Sequence, residues 1–344
     1  MNASKGSPFL SEFADRAIVD SPNDHAPQRK SRLRASNYIP PRHPIETGRY
    51  FLLTPMIFSC LNHVLDCIEY RGTGFPIIGP QRIGKTRSIG ATRRVLRSAR
   101  PSLPVVTLIA EHTTVPSKRE FFTGLLRQLR YVFYSSSSAN ALSSTLSDLL
   151  IQSANEKHSD CILVFIDNAH ELKEPQYHWL CDVFNKLDES DITLITLLVG
   201  ELHLDNSRTA FQKGEHRQIS GRFFNDSFRF HGITSRDDVC ACLSAYDGTR
   251  FPMNGGPTFT EEYFSEAFAT GWRLQNLAEG VWKAFAAVAG VSADDDLEIP
   301  MQYFCNLVRR ILKAFGPGAG PEPYVTGQML EEAIILTGFR SYRP

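Results

Sequence analysis

The 344-residue sequence lacks three features that would each indicate a particular class of protein. It has no excess charge: 37 Lys and Arg residues balance 37 Asp and Glu residues, which argues against coating nucleic acid by bulk charge but leaves local patches open. Its apolar runs, such as ITLITLLVG, fall short of the roughly 18 residues that span a bilayer. Its seven cysteines include no C-x-x-C pair and are too sparse for a disulfide framework. We therefore expect reduced thiols and a cytoplasmic location.

Changes in composition along the chain predict four regions. Residues 1–45 are proline-rich and contain the basic cluster QRKSRLR, which predicts a flexible basic arm, either a solvated leader or a tail that contacts DNA or a partner protein. Residues 46–233 alternate apolar runs with helical patterns, whereas residues 234–315 show helical patterns alone. Residues 316–344 comprise a Gly/Pro-rich linker and a short helix. The middle regions therefore predict an α/β domain followed by a small α-helical domain.

Five apolar runs within the α/β region are predicted to be strands. They are rich in Val, Ile, Leu and Phe, and amphipathic helical stretches separate them. Strands that are apolar on both faces and alternate with helices indicate a parallel sheet covered on both sides. The runs are FPII (75–78), LPVVTLIA (103–110), CILVFI (161–166), ITLITLLV (192–199) and SFRFHGI (227–233).

The segment GPQRIGKT fits the P-loop pattern G-x-x-x-x-G-K-[ST], directly after the first strand and at the start of a helix. Its glycines let backbone N–H groups converge on phosphate oxygens, while Lys85 supplies a cation for the β- and γ-phosphates and Thr86 a hydroxyl ligand for Mg²⁺. The sequence therefore predicts an ATP and Mg²⁺ site. Its predicted residues are Gly79, Pro80, Gln81, Arg82, Ile83, Gly84, Lys85, Thr86 and Arg87.

A second component of this site follows the third strand, in CILVFIDNAHEL. Asp167 ends the strand where a Walker B carboxylate supports the metal, so Thr86 and Asp167 are the predicted metal residues. The next residue, commonly an acid that polarises the attacking water, is Asn168, whose amide orients water but does not accept its proton at neutral pH. Glu171 either substitutes for that acid or is an ordinary first-turn residue of a helix.

Basic residues concentrate in further segments. Seven lie between Arg82 and Arg100 with no acid among them, either as a solvated helix face or as a surface for DNA phosphate or an acidic subunit. Lys118 and Arg119 begin a helix after the second strand. Arg222 precedes the fifth strand and Arg273 begins a helix of the last domain; in oligomeric P-loop ATPases such arginines reach a γ-phosphate, though either could equally form a surface salt bridge.

Together these motifs resemble the pattern of AAA+ ATPases, and within that superfamily the chain resembles the transposon-encoded TnsC/TniB regulators, with MuB as a looser relative. The supporting stretches are HPIETGRYFLLTPMIFSCLNHVL, IIGPQRIGKTRSI, VFIDNAHEL, LLVGELHL and QISGRFF, within about 45–290. The resemblance implies a sheet of strand order 5-1-4-3-2. It also implies an ATP-dependent oligomer, a ring or helical filament, on double-stranded target DNA, with a transposase and a target-selection protein as partners and no membrane.

The resemblance also implies roles for individual residues. Glu201 falls near the sensor-1 position, which many AAA+ proteins fill with a neutral side chain, Arg222 at the arginine-finger position and Arg273 at sensor 2. The predicted catalytic group is thus Asp167, Asn168, Glu171, Glu201, Arg222 and Arg273. The DNA-facing segment after the second strand contains Thr113, Thr114, Lys118 and Arg119.

Two departures from the family pattern, Asn168 and Glu201, predict an ATPase that is slow and stimulated by a partner. Two alternatives stay open at this point. One is an AAA+ ATPase that acts on a protein partner in secretion or signalling, and the other is a nucleotide-binding scaffold with little hydrolysis.

Overall fold

The computed structural model describes residues 18–19, 43–132, 134, 137–214, 216–253, 255–292 and 296–341. One compact unit runs from Phe58 to His231, and another combines the described residues up to Ile57 with those from Gly232 onward. Residues 46–57, assigned from the sequence to the α/β domain, cluster with this second unit. Most of the predicted basic arm (1–45) lies outside the described residues. Among the residues that are described, no helix is long and apolar enough to cross a membrane.

Two short strands and one five-stranded sheet make up the β-structure of the described residues. The short strands pair antiparallel, so two residues of the predicted arm form backbone pairs with the segment that precedes the first long helix. The strands are β1 (Ile18–Val19), β2 (Tyr50–Phe51), β3 (Gly74–Ile78), β4 (Val105–Ile109), β5 (Cys161–Asp167), β6 (Thr193–Gly200) and β7 (Phe228–Arg229).

The five-stranded sheet has the order β4-β5-β6-β3-β7, and every neighbouring pair is parallel. The five predicted runs correspond to β3, β4, β5, β6 and β7. When they are numbered 1 to 5 and the sheet is read from β7, the order is 5-1-4-3-2, which confirms the predicted α/β fold. Strand β5 is buried over its whole length and β6 over all but its first residue, as expected for strands covered on both faces. The carboxyl ends of β3, β4, β5 and β6 therefore meet at one edge of the sheet, where open α/β sheets bind ligands.

Helices follow the strands and continue through the second unit. They are α1 (Pro44–Thr47), α2 (Pro55–Glu69), α3 (Lys85–Ala99), α4 (Lys118–Gln128), α5 (Ala139–Glu156), α6 (Glu174–Asp188), α7 (His203–Lys213), α8 (Arg217–Phe223), α9 (Arg236–Gly248), α10 (Phe259–Tyr263), α11 (Ser265–Ala269), α12 (Ala278–Ala289), α13 (Met301–Arg310) and α14 (Gly327–Ile335). Short 3₁₀ turns cover Ala169–Glu171, Leu274–Leu277 and Phe339–Ser341, and a π-turn covers Ile311–Phe315.

Each unit has its own apolar core. In the unit that contains the sheet, buried residues of β5 and β6 pack with α4, α5 and α6, among them the fully buried Phe122. In the other unit, aromatic side chains that are at most 1% exposed, including Tyr246, Phe259 and Phe285, pack together. There the hydroxyls of Tyr50 and Tyr246 are hydrogen-bonded at 2.9 Å, which satisfies two buried polar groups.

The fifth strand is shorter than the run 227–233 predicts. Only Phe228 and Arg229 pair with β3, and the N–H of Phe230 adds one more hydrogen bond to the carbonyl of Ile78. Beyond His231 the chain enters the other unit, where Ile233 forms an isolated bridge with Ile299. An apolar run indicates that its residues are buried, but it does not show that they all belong to one strand. Here the first part of the run forms β7 and the last part forms the bridge in the other unit.

Candidate nucleotide-binding site

The P-loop connects the end of β3 to the start of α3, and two of its glycines are required by the backbone. A Cβ on Gly79 would lie 2.0 Å from the carbonyl oxygen of Phe230, so no other residue fits beside the fifth strand. Gly84 precedes the helix with φ of 107°, a left-handed conformation that favours glycine. Backbone N–H groups at the start of α3 point along the helix axis toward the P-loop, an arrangement that suits an anion such as phosphate.

Lys85 folds back onto the loop that carries it. Its Nζ donates to the carbonyl of Gly79 at 2.6 Å and to that of Pro80. Burial lowers the pKa of Lys85, while the nearby carboxylates of Glu201 and Asp167 act in the opposite direction. The amine is thus partly desolvated and held by neutral acceptors, so an anionic phosphate would interact with it more strongly than these carbonyls do.

Thr86 and Asp167, the two residues predicted to hold the metal, are in contact. The Thr86 hydroxyl donates to Oδ2 of Asp167 at 2.9 Å, and the N–H of Asn168 donates to Oδ1 at 3.0 Å. Asp167 is only 8% exposed and ends the buried strand β5. A hydroxyl beside a carboxylate is an oxygen donor set that Mg²⁺ accepts, so these two side chains fit the ion; it would supply charge neutralisation for the phosphates.

Beyond Asp167, two carboxylates and two imidazoles form one connected group. Glu171 lies with Oε2 2.6 Å from Nδ1 of His112 and with Oε1 3.6 Å from Nε2 of His170. The hydrogen bond with His112 is the main cause that lowers the pKa of Glu171 below its usual range. Asn168 adopts φ of 56°, a left-handed turn that an asparagine tolerates and that starts the 3₁₀ turn carrying Glu171.

Glu201 joins this group to the P-loop. Its Oε1 accepts from Nε2 of Gln81 at 2.8 Å and lies 3.5 Å from Nε2 of His170. The N–H of Glu201 donates to Nδ1 of His170 at 3.4 Å, so that Nε2 carries the imidazole proton and faces both carboxylates. Two side chains, Glu201 and His170, therefore lie between Gln81 of the P-loop and Glu171.

The predicted finger residue Arg222 contacts α6. Its guanidinium donates to Oδ1 of Asn185 and lies 4.8 Å from the ring centroid of Phe184. Arg273 lies in the other unit, where it donates to the carbonyls of Phe268 and Trp272. The finger and sensor-2 roles of these arginines stay predictions.

The predicted DNA-facing residues occupy the segment after β4 and the first turn of α4. Ser117 caps α4 by accepting from the N–H of Glu120, which places Lys118 and Arg119 on the first turn, as predicted. Lys118 Nζ lies 3.3 Å from Oδ2 of Asp182, and Nε of Arg119 donates to the carbonyl of Ser137. Thr114 is exposed and Thr113 half-buried. Their role in DNA binding stays a prediction.

Sequence reasoning missed the two imidazoles of the site, His112 and His170. A signal was present, because each lies three residues after a strand that ends at the ligand-binding edge of the sheet. Nothing in the local pattern, however, distinguishes a histidine that pairs with Glu171 from one that faces solvent. Of the remaining P-loop residues, Ile83 is buried, whereas Arg82 and Arg87 are exposed residues that make contacts of their own.

A parallel sheet of this order, with a P-loop after β3 and a Walker B aspartate at the end of β5, on the far side of β6, defines the AAA+ fold of P-loop NTPases. The family model described as an AAA domain matches residues 71–207. Among curated proteins, none matches the sequence significantly.

The chain is similar to solved structures at low sequence identity. The Aeropyrum pernix ORC2 protein, in ADPNP–ADP complexes, is 14% identical with a TM-score of 0.51, over 88% of this chain and 70% of that one. The Aeropyrum pernix ORC1 protein in complex with DNA is 11% identical, over 84% of each chain, with a TM-score of 0.38. Domain III of the Thermotoga maritima replication initiation protein DnaA is 15% identical, over 70% of this chain and 88% of that one, with a TM-score of 0.34.

Proposed function

We propose that the protein is an ATP-dependent, DNA-binding AAA+ regulator of transposition. In this proposal it oligomerises on double-stranded target DNA, selects the target, and recruits or activates the transposase. The observation that carries the nucleotide-dependent part is the convergence of Lys85, Thr86 and Asp167 at the carboxyl edge of the sheet. The resemblance to the TnsC/TniB regulators supports the part that concerns transposition.

In the proposed bound state, Lys85 exchanges the carbonyls of Gly79 and Pro80 for phosphate oxygens. Thr86 and Asp167 hold Mg²⁺, and the exposed N–H groups at the start of α3 bind the phosphates. Because the contacts that Lys85 gives up are hydrogen bonds to neutral oxygens, binding a charged phosphate compensates for them.

In this proposal ATP hydrolysis is slow because the site lacks a good general base. Asn168 replaces the usual acid, and Glu171 is held by His112, which lowers its pKa and makes it a weaker base. A partner that draws His112 away from Glu171 would free the carboxylate to activate water. This favours an ATPase that depends on its partner, and the same observation favours the second candidate, a nucleotide-binding scaffold with little hydrolysis.

DNA binding is assigned to the segment after β4 and to the first turn of α4. Val115 is 78% exposed next to Thr114, and Lys118 and Arg119 follow within one turn. The ion pair of Lys118 with Asp182 joins two solvent-accessible side chains, and such pairs contribute only about 0–1 kcal/mol. A DNA phosphate can therefore displace Asp182 at little cost.

Binding of a fluorescent duplex, measured by anisotropy with and without ATP, tests the proposal. We expect ATP to increase duplex affinity, Lys85→Ala to abolish that increase, and Lys118→Ala/Arg119→Ala to reduce the slope of log K against log salt by about 2. The matched control Lys283→Ala/Lys313→Ala removes two charges from exposed pairs of the other unit and should leave the slope unchanged. Duplex affinity that is the same with and without ATP at physiological salt contradicts the proposal and favours a protein partner.

Phosphate release separates the ATPase from the scaffold. The assay is run with the protein alone, with duplex, and with duplex and transposase. We expect release to rise when both are present. No detectable release in every combination would leave the scaffold as the function.

A further inference from the structure

Outside the nucleotide site, two histidines and a glutamate converge on the surface of the unit that contains the sheet. Glu174 is the first residue of α6, and His178 lies one turn later on the same face of that helix. His216 immediately precedes α8. One oxygen or nitrogen from each side chain lies within 4.8 Å of the others, and Glu174 and His178 are exposed.

The distances among these atoms are close to those between a metal's ligands. Oε1 of Glu174 lies 3.5 Å from Nε2 of His216 and 3.9 Å from Nε2 of His178. Ligands bound to zinc at about 2.0–2.1 Å in a tetrahedral arrangement are about 3.3–3.4 Å apart. The three atoms thus need to move by only a few tenths of an ångström to about one ångström to share one ion, and exposed side chains have that freedom.

We propose that Glu174, His178 and His216 bind a divalent transition-metal ion of the zinc class. Two imidazoles with one carboxylate are the ligands that zinc uses where a fourth position is left to water, whereas Mg²⁺ and Ca²⁺ prefer oxygen ligands alone. The exposure of the cluster leaves that fourth position open to solvent. This site is separate from the residues assigned to nucleotide, and its existence does not depend on the proposed function.

The ion would join two helices that already meet at another point. Helix α8 carries Arg222, which contacts Asn185 and Phe184 near the end of α6. The metal would fasten the residue before α8 to the start of α6, so that α8 is held at both ends. Without the ion, His178 and His216 share the Glu174 carboxylate only through exposed pairs, which stabilise a fold by about 0–1 kcal/mol.

Zinc titration of the 344-residue protein after removal of metals by a chelator tests the site. A chromogenic zinc indicator reports the number of sites and their affinity. We expect His178→Ala and His216→Ala each to weaken one site at least about tenfold, since even outer-shell changes at metal sites cost that much. Glu174→Gln, which keeps the size of the side chain, should weaken the same site. His158→Asn serves as the matched control, because His158 is exposed, lies elsewhere on the same unit and has a left-handed φ that asparagine tolerates.

Cobalt provides a second readout, because its visible absorption distinguishes tetrahedral from octahedral coordination. A tetrahedral Co²⁺ spectrum in the wild-type protein that is lost in His216→Ala and kept in His158→Asn supports the proposal. Circular dichroism confirms that each variant is folded. The same zinc stoichiometry and affinity in the wild type and in the Glu174, His178 and His216 variants would overturn it, as would a wild-type protein that binds no zinc.

Discussion

The P-loop glycine Gly79 is expected to be essential for stability as well as for nucleotide binding. Its N–H donates to the carbonyl of Gly200 at 3.2 Å, and its Cα faces the carbonyl of Phe230 so closely that an added Cβ would lie 2.0 Å from that oxygen. The same Cβ would lie 2.5 Å from Cδ1 of Ile83, a side chain that is 2% exposed. The variant Gly79→Ala therefore has to move backbone on one side and a buried side chain on the other.

The expected cost follows from these contacts. Overpacking of a filled site costs about 1–3 kcal/mol, and loss of the hydrogen bond from the Phe230 N–H to Ile78, which fixes the fifth strand, costs about 1 kcal/mol more. We thus expect Gly79→Ala to lower the free energy of unfolding by about 2–4 kcal/mol. At a urea m-value of about 2 kcal/mol/M, the unfolding midpoint falls by about 1–2 M.

Urea unfolding followed by circular dichroism measures this effect, with Gly221→Ala as the matched control. Gly221 lies within helix α8 of the same unit, and a Cβ there meets no atom within 4 Å. Because alanine is the better helix former, Gly221→Ala should raise stability by about 0.5–1 kcal/mol. A Gly79→Ala protein within about 0.5 kcal/mol of the wild type would refute the reasoning, since that is the scatter of a neutral surface substitution.

Two further predictions concern the site and its surroundings. Thr86→Ala removes the hydroxyl that contacts Asp167 and should weaken Mg²⁺-dependent ATP binding at least about tenfold, as measured by titration calorimetry. Thr86→Ser keeps the hydroxyl and should bind ATP as the wild type does. Equal ATP affinities of the two variants would contradict a metal role for this hydroxyl. Burial raises the pKa of Cys60 to about 11. Iodoacetamide at pH 8 should therefore leave Cys60 unmodified in the folded protein and modify it in urea, as measured by peptide mass spectrometry. Rapid labelling of Cys60 in the folded protein would contradict that burial.

The sequence was sufficient to predict the sheet and to place the P-loop and Asp167 at its carboxyl edge. Strand order follows from the resemblance, and the contact of Thr86 with Asp167 follows from the rule that parallel strands end at one edge. The strand order is confirmed, because a glycine-rich loop between a strand and a helix permits few arrangements, whereas the metal role of Thr86 and Asp167 stays a prediction. Hydrophobic periodicity and motif spacing therefore suffice to predict which strands and which loop meet at this edge of the sheet.

Contacts between polar side chains of different loops could not be predicted in this way. The pairing of His112 with Glu171 joins residues 59 positions apart, and that of Gln81 with Glu201 joins residues 120 apart. Neither pair leaves a local pattern, because each side chain is an ordinary polar residue of a loop. For the same reason the pairing of Ile18–Val19 with Tyr50–Phe51 was not visible in a segment whose composition indicates a flexible arm.

Sedimentation of the protein with a labelled DNA duplex, with and without a non-hydrolysable ATP analogue, tests the proposed nucleotide-dependent assembly on DNA. We expect the analogue to cause many subunits to assemble on the duplex and Lys85→Ala to prevent this assembly. The same sedimentation with and without nucleotide, in a protein shown to bind the analogue, would contradict the proposal.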